Sequence, residues 1–189
     1  MVPVCVYGGV RMNKLVLAGF CAAMAFLVSC GSGSADPVAD GRFLIVSKAS
    51  GMALDVPAAS SEPGKQIVQW TINSKDKPTL NQVWKFIKSG QAGQWKIVSE
   101  QSKLCLDVQG KSMDNNAAVV QWHDNGSVAS NQIWVLKKAD GGYTVQALHS
   151  GKMLTVFGVS TEQGAPLVQF EPLTVKPENQ IFRLVAVKK

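Results

Sequence analysis

The stretch Asn131–Gln132–Ile133–Trp134 decides how the chain is read, because it occurs three times. Asn81–Gln82–Val83–Trp84 precedes it by 50 residues, and Asn179–Gln180–Ile181–Phe182 follows it by 48. A recurrence at a fixed period means one structural unit written repeatedly. Working outward, the first copy runs from Gly41 to Gly90, the second from Gly93 to Asp140 and the third from Gly142 to Val187.

Each copy carries four short runs. The first alternates: Arg42–Ser47, Gln94–Ser99 and Tyr143–Leu148. The second follows a Ser-Gly or Ser-Lys turn: Met52–Val56, Leu104–Val108 and Met153–Val156. The third is Ile67–Trp70, Val119–Trp122 and Leu167–Phe170. The fourth is the recurring motif with its tail: Gln82–Ile87, Gln132–Leu136 and Gln180–Val185. These runs are rich in β-branched and aromatic residues and bounded by Gly, Ser, Asn, Asp and Pro, which marks strands and turns. None shows a sustained helical period. Four runs in three copies predict twelve strands in an all-β fold. One copy is too small to bury its own apolar face, so the three must share a core. A closed three-fold barrel with a hairpin cap also leaves few strand edges exposed.

The N-terminal segment reads as an address. Residues 1–29 contain an apolar run from Leu15 to Val28, preceded by Arg11 and Lys14. A bilayer span needs about 20 helical residues, so this shorter run suits the core of a secretory signal. Met1 and Met12 are both candidate starts, the second making residues 1–11 an upstream extension. Leu27–Val28–Ser29–Cys30 resembles the lipobox of bacterial lipoproteins. In that family cleavage precedes the cysteine, whose thiol is diacylated, and several acyl chains anchor a protein stably. Gly31 in place of an aspartate after that cysteine leans toward the outer membrane, where the cell has one. Residues 30–40, beginning Cys30–Gly31–Ser32–Gly33–Ser34, read as a flexible linker.

Composition excludes several classes. A 189-residue chain with 46% hydrophobic and 17% charged residues can build a packed core. The formal charge of +6 falls to a surplus of four once Arg11 and Lys14 leave with the signal, and no basic cluster remains to grip nucleic acid. Of four cysteines, Cys5 and Cys21 lie in the signal and Cys30 is expected to be capped by lipid. Cys105 is then left alone between Leu104 and Leu106, so it reads as a small buried hydrophobe and no internal disulfide is expected.

Within residues 41–189, Leu54–Asp55–Val56 and Leu106–Asp107–Val108, Gln69–Trp70 and Gln121–Trp122, and the three Asn-Gln-x-Trp-like motifs together resemble the ricin B-type lectins, which are β-trefoils. The resemblance implies a shallow sugar pocket in each copy. An aspartate ending the second strand would accept hydrogen bonds from two sugar hydroxyls, the aromatic of the third strand would stack under the ring, and the asparagine of the motif would complete the polar side. Residue by residue, this gives Asp55, Trp70 and Asn81 in the first copy, and Asp107, Trp122 and Asn131 in the second. The third has Thr155, Phe170 and Asn179, and the missing carboxylate predicts a weak or dead site. Gln82, Gln132 and Gln180 are expected to satisfy backbone, and Trp84, Trp134 and Phe182 to fill the core. Trp95, aligned with Phe43 and Tyr143, is a packing residue. The family often has Gln two places before the stacking aromatic, where this chain has Val68 and Val120. The loop from Trp70 to Asn81 is two residues longer than its counterparts and carries Lys75, Asp76 and Lys77.

Nothing points to catalysis. His123 and His149 fall in non-equivalent positions, without partners at zinc-ligand spacing. No nucleophile elbow, P-loop or dinucleotide fingerprint occurs. Asp55 and Asp107 lie in equivalent places of different copies, too far apart to flank one glycosidic bond. No cofactor and no metal are expected. The expectation is a lipid-anchored carbohydrate-binding protein of a bacterial envelope, with glycans or polysaccharide as partner and the membrane reached through Cys30. The competing reading is a protein-interaction scaffold on the same fold, a toxin delivery subunit or protease inhibitor with a protein partner.

Overall fold

The twelve strands form where the β-branched and aromatic runs lie. The computed structural model describes residues 38, 41–74, 76–175 and 177–188. The signal segment, Cys30, most of the linker and Lys75 lie outside the described residues. The strands are β1 (Arg42–Ser47), β2 (Ala53–Asp55), β3 (Val68–Trp70), β4 (Trp84–Lys88), β5 (Gln94–Ser99), β6 (Cys105–Val108), β7 (Val119–Trp122), β8 (Ile133–Ala139), β9 (Gly142–Ala147), β10 (Met153–Val156), β11 (Leu167–Phe170) and β12 (Ile181–Ala186).

The first and fourth strands of each copy close a ring. β1 pairs β4, β4 pairs β5, β5 pairs β8, β8 pairs β9, β9 pairs β12 and β12 returns to β1, all antiparallel. The second and third strands make three hairpins, β2–β3, β6–β7 and β10–β11. Single bridges join the hairpins in a triangle: Gln66 to Val120, Val68 to Pro166 and Ala118 to Val168. This is the six-stranded barrel with a triangular hairpin cap of a β-trefoil. The register repeats as well as the order. Phe43 faces Trp84, Trp95 faces Trp134 and Tyr143 faces Phe182.

The core is built from equivalent residues of the three copies. Leu54, Leu106 and Leu154 are fully buried, as are Ile67, Val119 and Leu167, and Trp84, Trp134 and Phe182. The two indoles are also hydrogen-bonded: Trp84 Nε1 donates to Leu54 O at 3.2 Å and Trp134 Nε1 to Leu106 O at 3.0 Å. Phenylalanine fits the third position because it has no N–H to satisfy. Trp95 is buried and packs edge-on against Phe86, its ring centroid 6.0 Å away. Cys105 is buried, and burial first, then the charge of Asp124, pushes its thiol up to about 11. It is an inert packing group. Val38, inside the segment read as linker, is only 1% exposed and belongs to the same core, so packing begins before Gly41.

The fourth strands start one or more residues later than the sequence implies. Gln82, Gln132 and Gln180 close short 3₁₀ turns at Leu80–Gln82, Ser130–Gln132 and Pro177–Gln180. Those turns carry the preceding asparagine under the neighbouring hairpin, where the site lies.

A second set of glutamines, one residue before the aromatic that ends each third strand, locks the copies together. Gln69, Gln121 and Gln169 are fully buried. Gln69 Nε2 donates to Ser160 O and Glu162 O of the third copy, at 3.0 and 2.8 Å. Gln121 Nε2 reaches Ser60 O and Glu62 O of the first, at 3.0 and 2.9 Å. Gln169 Nε2 reaches Ser112 O and Asp114 O of the second, at 2.8 and 2.9 Å. Each Oε1 accepts a serine hydroxyl from its own copy: Ser50, Ser102 or Ser150. Sequence reading noted two of these glutamines as motif residues and gave them no task.

Removing one such amide strands two carbonyls and a hydroxyl, each worth roughly 1–3 kcal/mol when left unsatisfied and buried. Gln121→Leu should therefore lower unfolding free energy by about 3 kcal/mol or more in a denaturant titration, and Gln69→Leu and Gln169→Leu by comparable amounts.

Candidate functional site

Asp55 ends β2 and Asp107 is the last residue but one of β6; they are 4% and 3% exposed. Burying a carboxylate is costly unless it is hydrogen-bonded, and the two residues opening each fourth-strand motif supply the bonds. Asn81 Nδ2 and Gln82 Nε2 donate to Asp55 Oδ2 at 3.0 and 2.9 Å. Asn131 Nδ2 and Gln132 Nε2 donate to Asp107 Oδ2 at 2.9 and 2.8 Å. Both amides thus converge on one oxygen, and Oδ1 is left without a protein partner among the described residues. The glutamines also serve backbone, as expected. Gln82 donates to Thr71 O and accepts from Asn73 N, and Gln132 donates to His123 O and accepts from Asn125 N.

The tryptophans of the third strands are at the surface. Trp70 is 41% and Trp122 40% exposed, so neither is a core residue. Each ring is backed by a glycine of the neighbouring copy. A Cβ on Gly64 would sit 3.3 Å from the Trp122 ring, and one on Gly164 would sit 3.7 Å from Trp70. Both glycines have φ near +80°, a conformation that L side chains rarely adopt.

In the second copy these parts line a hollow of about 540 Å³, with Asp107, Val120, Trp122 and Asn131 on its inner side and Gln109, Lys111 and Asn125 at its rim. The rim residues were not singled out from sequence. Gln109 and Lys111 fall in the turn after Leu-Asp-Val, which differs from copy to copy, whereas Asn125, three places after the aromatic, matches Asn73 of the first copy and is replaced by Leu173 in the third. Aligning the copies and marking where they disagree is the signal that finds them.

The loop walling this hollow is held differently in the first and second copies. In the second, Lys96 Nζ pairs with Asp124 Oδ1, which also accepts Gly126 N at 2.8 Å. The Lys96 hydrogen bond, then that of Gly126, holds the Asp124 carboxyl below its usual value. In the first copy the equivalent positions are Leu44 and Ile72, which pack together as hydrophobes. His123–Asp124 is accordingly a loop anchor beside the hollow.

The third copy keeps the frame without the charge. Gln180 Nε2 donates to Thr155 Oγ1 at 3.1 Å, and that hydroxyl donates to Met153 O at 2.8 Å. Asn179 Nδ2 donates to Val156 O at 3.1 Å, while its Oδ1 is buried with no partner. Among the described residues, no group of His, Cys, Asp and Glu is arranged to hold a metal ion.

With this geometry established, similarity to other proteins becomes informative. Residues 34–122, 80–170 and 130–188 match the family model for the ricin-type beta-trefoil lectin domain-like proteins. No curated protein sequence matches. The designed three-fold symmetric protein ThreeFoil is 34% identical with a TM-score of 0.71, over 78% of this chain and 100% of that one. The exo-beta-1,3-galactanase 1,3Gal43A from Clostridium thermocellum is 34% identical with a TM-score of 0.71, over 79% of this chain and 31% of that enzyme. The chain therefore spans under a third of the galactanase. The C-half of the earthworm R-type lectin, solved in complex with GalNAc, is 23% identical with a TM-score of 0.58, over 77% of this chain and 98% of that one. At that identity the likeness is one of fold.

Burial pushes both carboxyls above the ordinary 3.8, and the hydrogen bonds from Gln82 and Asn81, or Gln132 and Asn131, pull only part of the way back. A carboxyl raised in the folded state favours folding below its unfolded value, and that contribution is lost as pH rises through the folded value. Asp107→Asn should thus be at least as stable as the parent at pH 7. The difference should vanish below pH 3.8, as read from urea midpoints across the acid range.

Proposed function

Since the chain belongs to the ricin-type beta-trefoil lectin domain-like family, we propose that it binds carbohydrate without transforming it, at the Asp55 and Trp70 surface of its first copy and in the hollow of its second. The observation carrying this reading is a carboxylate with one oxygen tied by two amides and the other free, beside a half-exposed indole, present twice. A pyranose has one face of C–H groups and a rim of hydroxyls. The indole offers a rigid apolar plate to that face. The free Oδ1 of Asp55 or Asp107 accepts from ring hydroxyls, and bonds to an ionised acceptor are about twice as strong as neutral ones. Asn81 and Asn131 fix the carboxylates, and Asn131 also lines the second copy's hollow.

Shallow single sites of this kind bind with Kd on the order of 0.1–1 mM, about −4 to −5.5 kcal/mol. Two sites on one domain, and many copies on one surface, raise avidity through effective concentration. The rims differ, with Pro57, Ala58 and Ala59 in the first copy and Gln109, Gly110 and Lys111 in the second, so the two sites prefer different sugars. GalNAc, bound by the earthworm lectin, and beta-1,3-linked galactan, named in the galactanase, are the first ligands to offer.

The same reading places the domain outside the cytoplasm of a bacterium, on an envelope membrane. The support is the lipobox-like Leu27–Val28–Ser29–Cys30 and the Gly-Ser tether that follows it. Labelled palmitate should enter the protein expressed in a bacterium, and Cys30→Ser should abolish both labelling and recovery in the membrane fraction. Labelling that persists in Cys30→Ser would refute the anchor.

A glycan array that includes GalNAc and galactan probes tests the binding itself. The parent protein should bind a defined subset. Asp55→Asn and Asp107→Asn should each lose part of that subset, and the double variant all of it, with unchanged circular dichroism. Binding that survives in the folded double variant, or no glycan binding by the parent, would end the proposal.

A further inference from the structure

The third copy has a hollow of about 330 Å³ in the same place as the second copy's, within the range of small-molecule sites. Its lining has changed character in one direction. Where the second copy puts Asp107, Gln109, Lys111 and Asn125, the third puts Thr155, Phe157, Val159 and Leu173. Phe170 replaces the tryptophan, and no charged side chain lines the hollow among the described residues. Three of these four positions thus carry hydrophobes, and the fourth carries an uncharged hydroxyl.

Two further observations point to an occupant. Phe157 and Val159 are 48% and 56% exposed, a large apolar surface left in water at the rim. Val159 also sits at φ +53°, where the same turn has Ala59 and Lys111 at similar angles. A β-branched residue in the left-handed region is a genuine outlier, and such strain concentrates where ligands are held. At the buried wall, Asn179 Oδ1 is an acceptor with no donor. Thr155 cannot serve it, because its hydroxyl hydrogen goes to Met153 O.

We propose that the third hollow binds a neutral, mostly apolar ring that donates a single hydrogen bond, the donor going to Asn179 Oδ1 and the ring lying between Phe157, Val159 and Phe170. A vicinal diol finds no carboxylate there, and an acid or a cation finds no counter-charge. An aromatic N–H or O–H compound of the size of indole or phenol satisfies each feature. The inference stands apart from the sugar reading, since it uses none of the residues of the first two sites.

The test is a methyl-labelled NMR titration of the protein with indole, 1-methylindole and a methyl galactoside. Indole should give saturable shifts at the methyls of Val159, Val168 and Leu173, and the galactoside none at those groups. 1-Methylindole, which has no donor, should bind at least threefold more weakly. Val159→Gly should raise the melting temperature, because glycine tolerates that φ, and weaken indole binding at least tenfold. Absent saturation with indole, equal affinity for 1-methylindole, or indole binding unchanged in Val159→Gly would each overturn the proposal. None of these outcomes bears on Asp55 or Asp107, so the two readings fail separately.

Discussion

Three buried amides hold this molecule together as a ring. Gln69, Gln121 and Gln169 each take a hydroxyl from their own copy and give two hydrogen bonds to a loop of another, so first holds third, second holds first and third holds second. A hydrophobic core is non-directional and would tolerate sliding of one hairpin past its neighbour. Fully satisfied buried amides do not, because every displaced bond strands a polar group in a dry place. The cap is thereby set in register, and every side chain on its surface is placed relative to it.

The site uses the same economy of parts. The asparagine and glutamine that begin the fourth-strand motif tie down one carboxylate oxygen and leave the other free. A residue that settles a buried charge is also the residue that aims it. Likewise the tryptophan plates rest on Gly64 and Gly164, each contributed by a different copy from the plate itself. The packing of the cap and the placing of these side chains therefore draw on a shared set of atoms.

Much of this was legible in the sequence. The period, the four runs per copy and the burial of Trp84, Trp134 and Phe182 follow from spacing and residue type. Asn81 is bonded to Asp55, and Asp107, Trp122 and Asn131 line one hollow. What stayed hidden has a common cause. The glutamine clamps, the glycine backings and the Lys96–Asp124 anchor are contacts between residues distant along the chain, and no local pattern encodes their partners. Val38 was hidden for a related reason. A single apolar residue among Gly, Ser, Ala, Asp and Pro has a linker's composition, and only the barrel shows that there is a space for it.

Cyclic exchange of contacts makes the order in which the copies are read immaterial to the final object. Val187 N donates to Arg42 O at 2.8 Å, so the two ends of the domain already lie side by side. Joining them and reopening the chain at the surface turns near Gly90 or Gly141 would leave every clamp, plate and carboxylate with its present neighbours. The architecture is a circle that the peptide chain happens to enter at one of three equivalent doors.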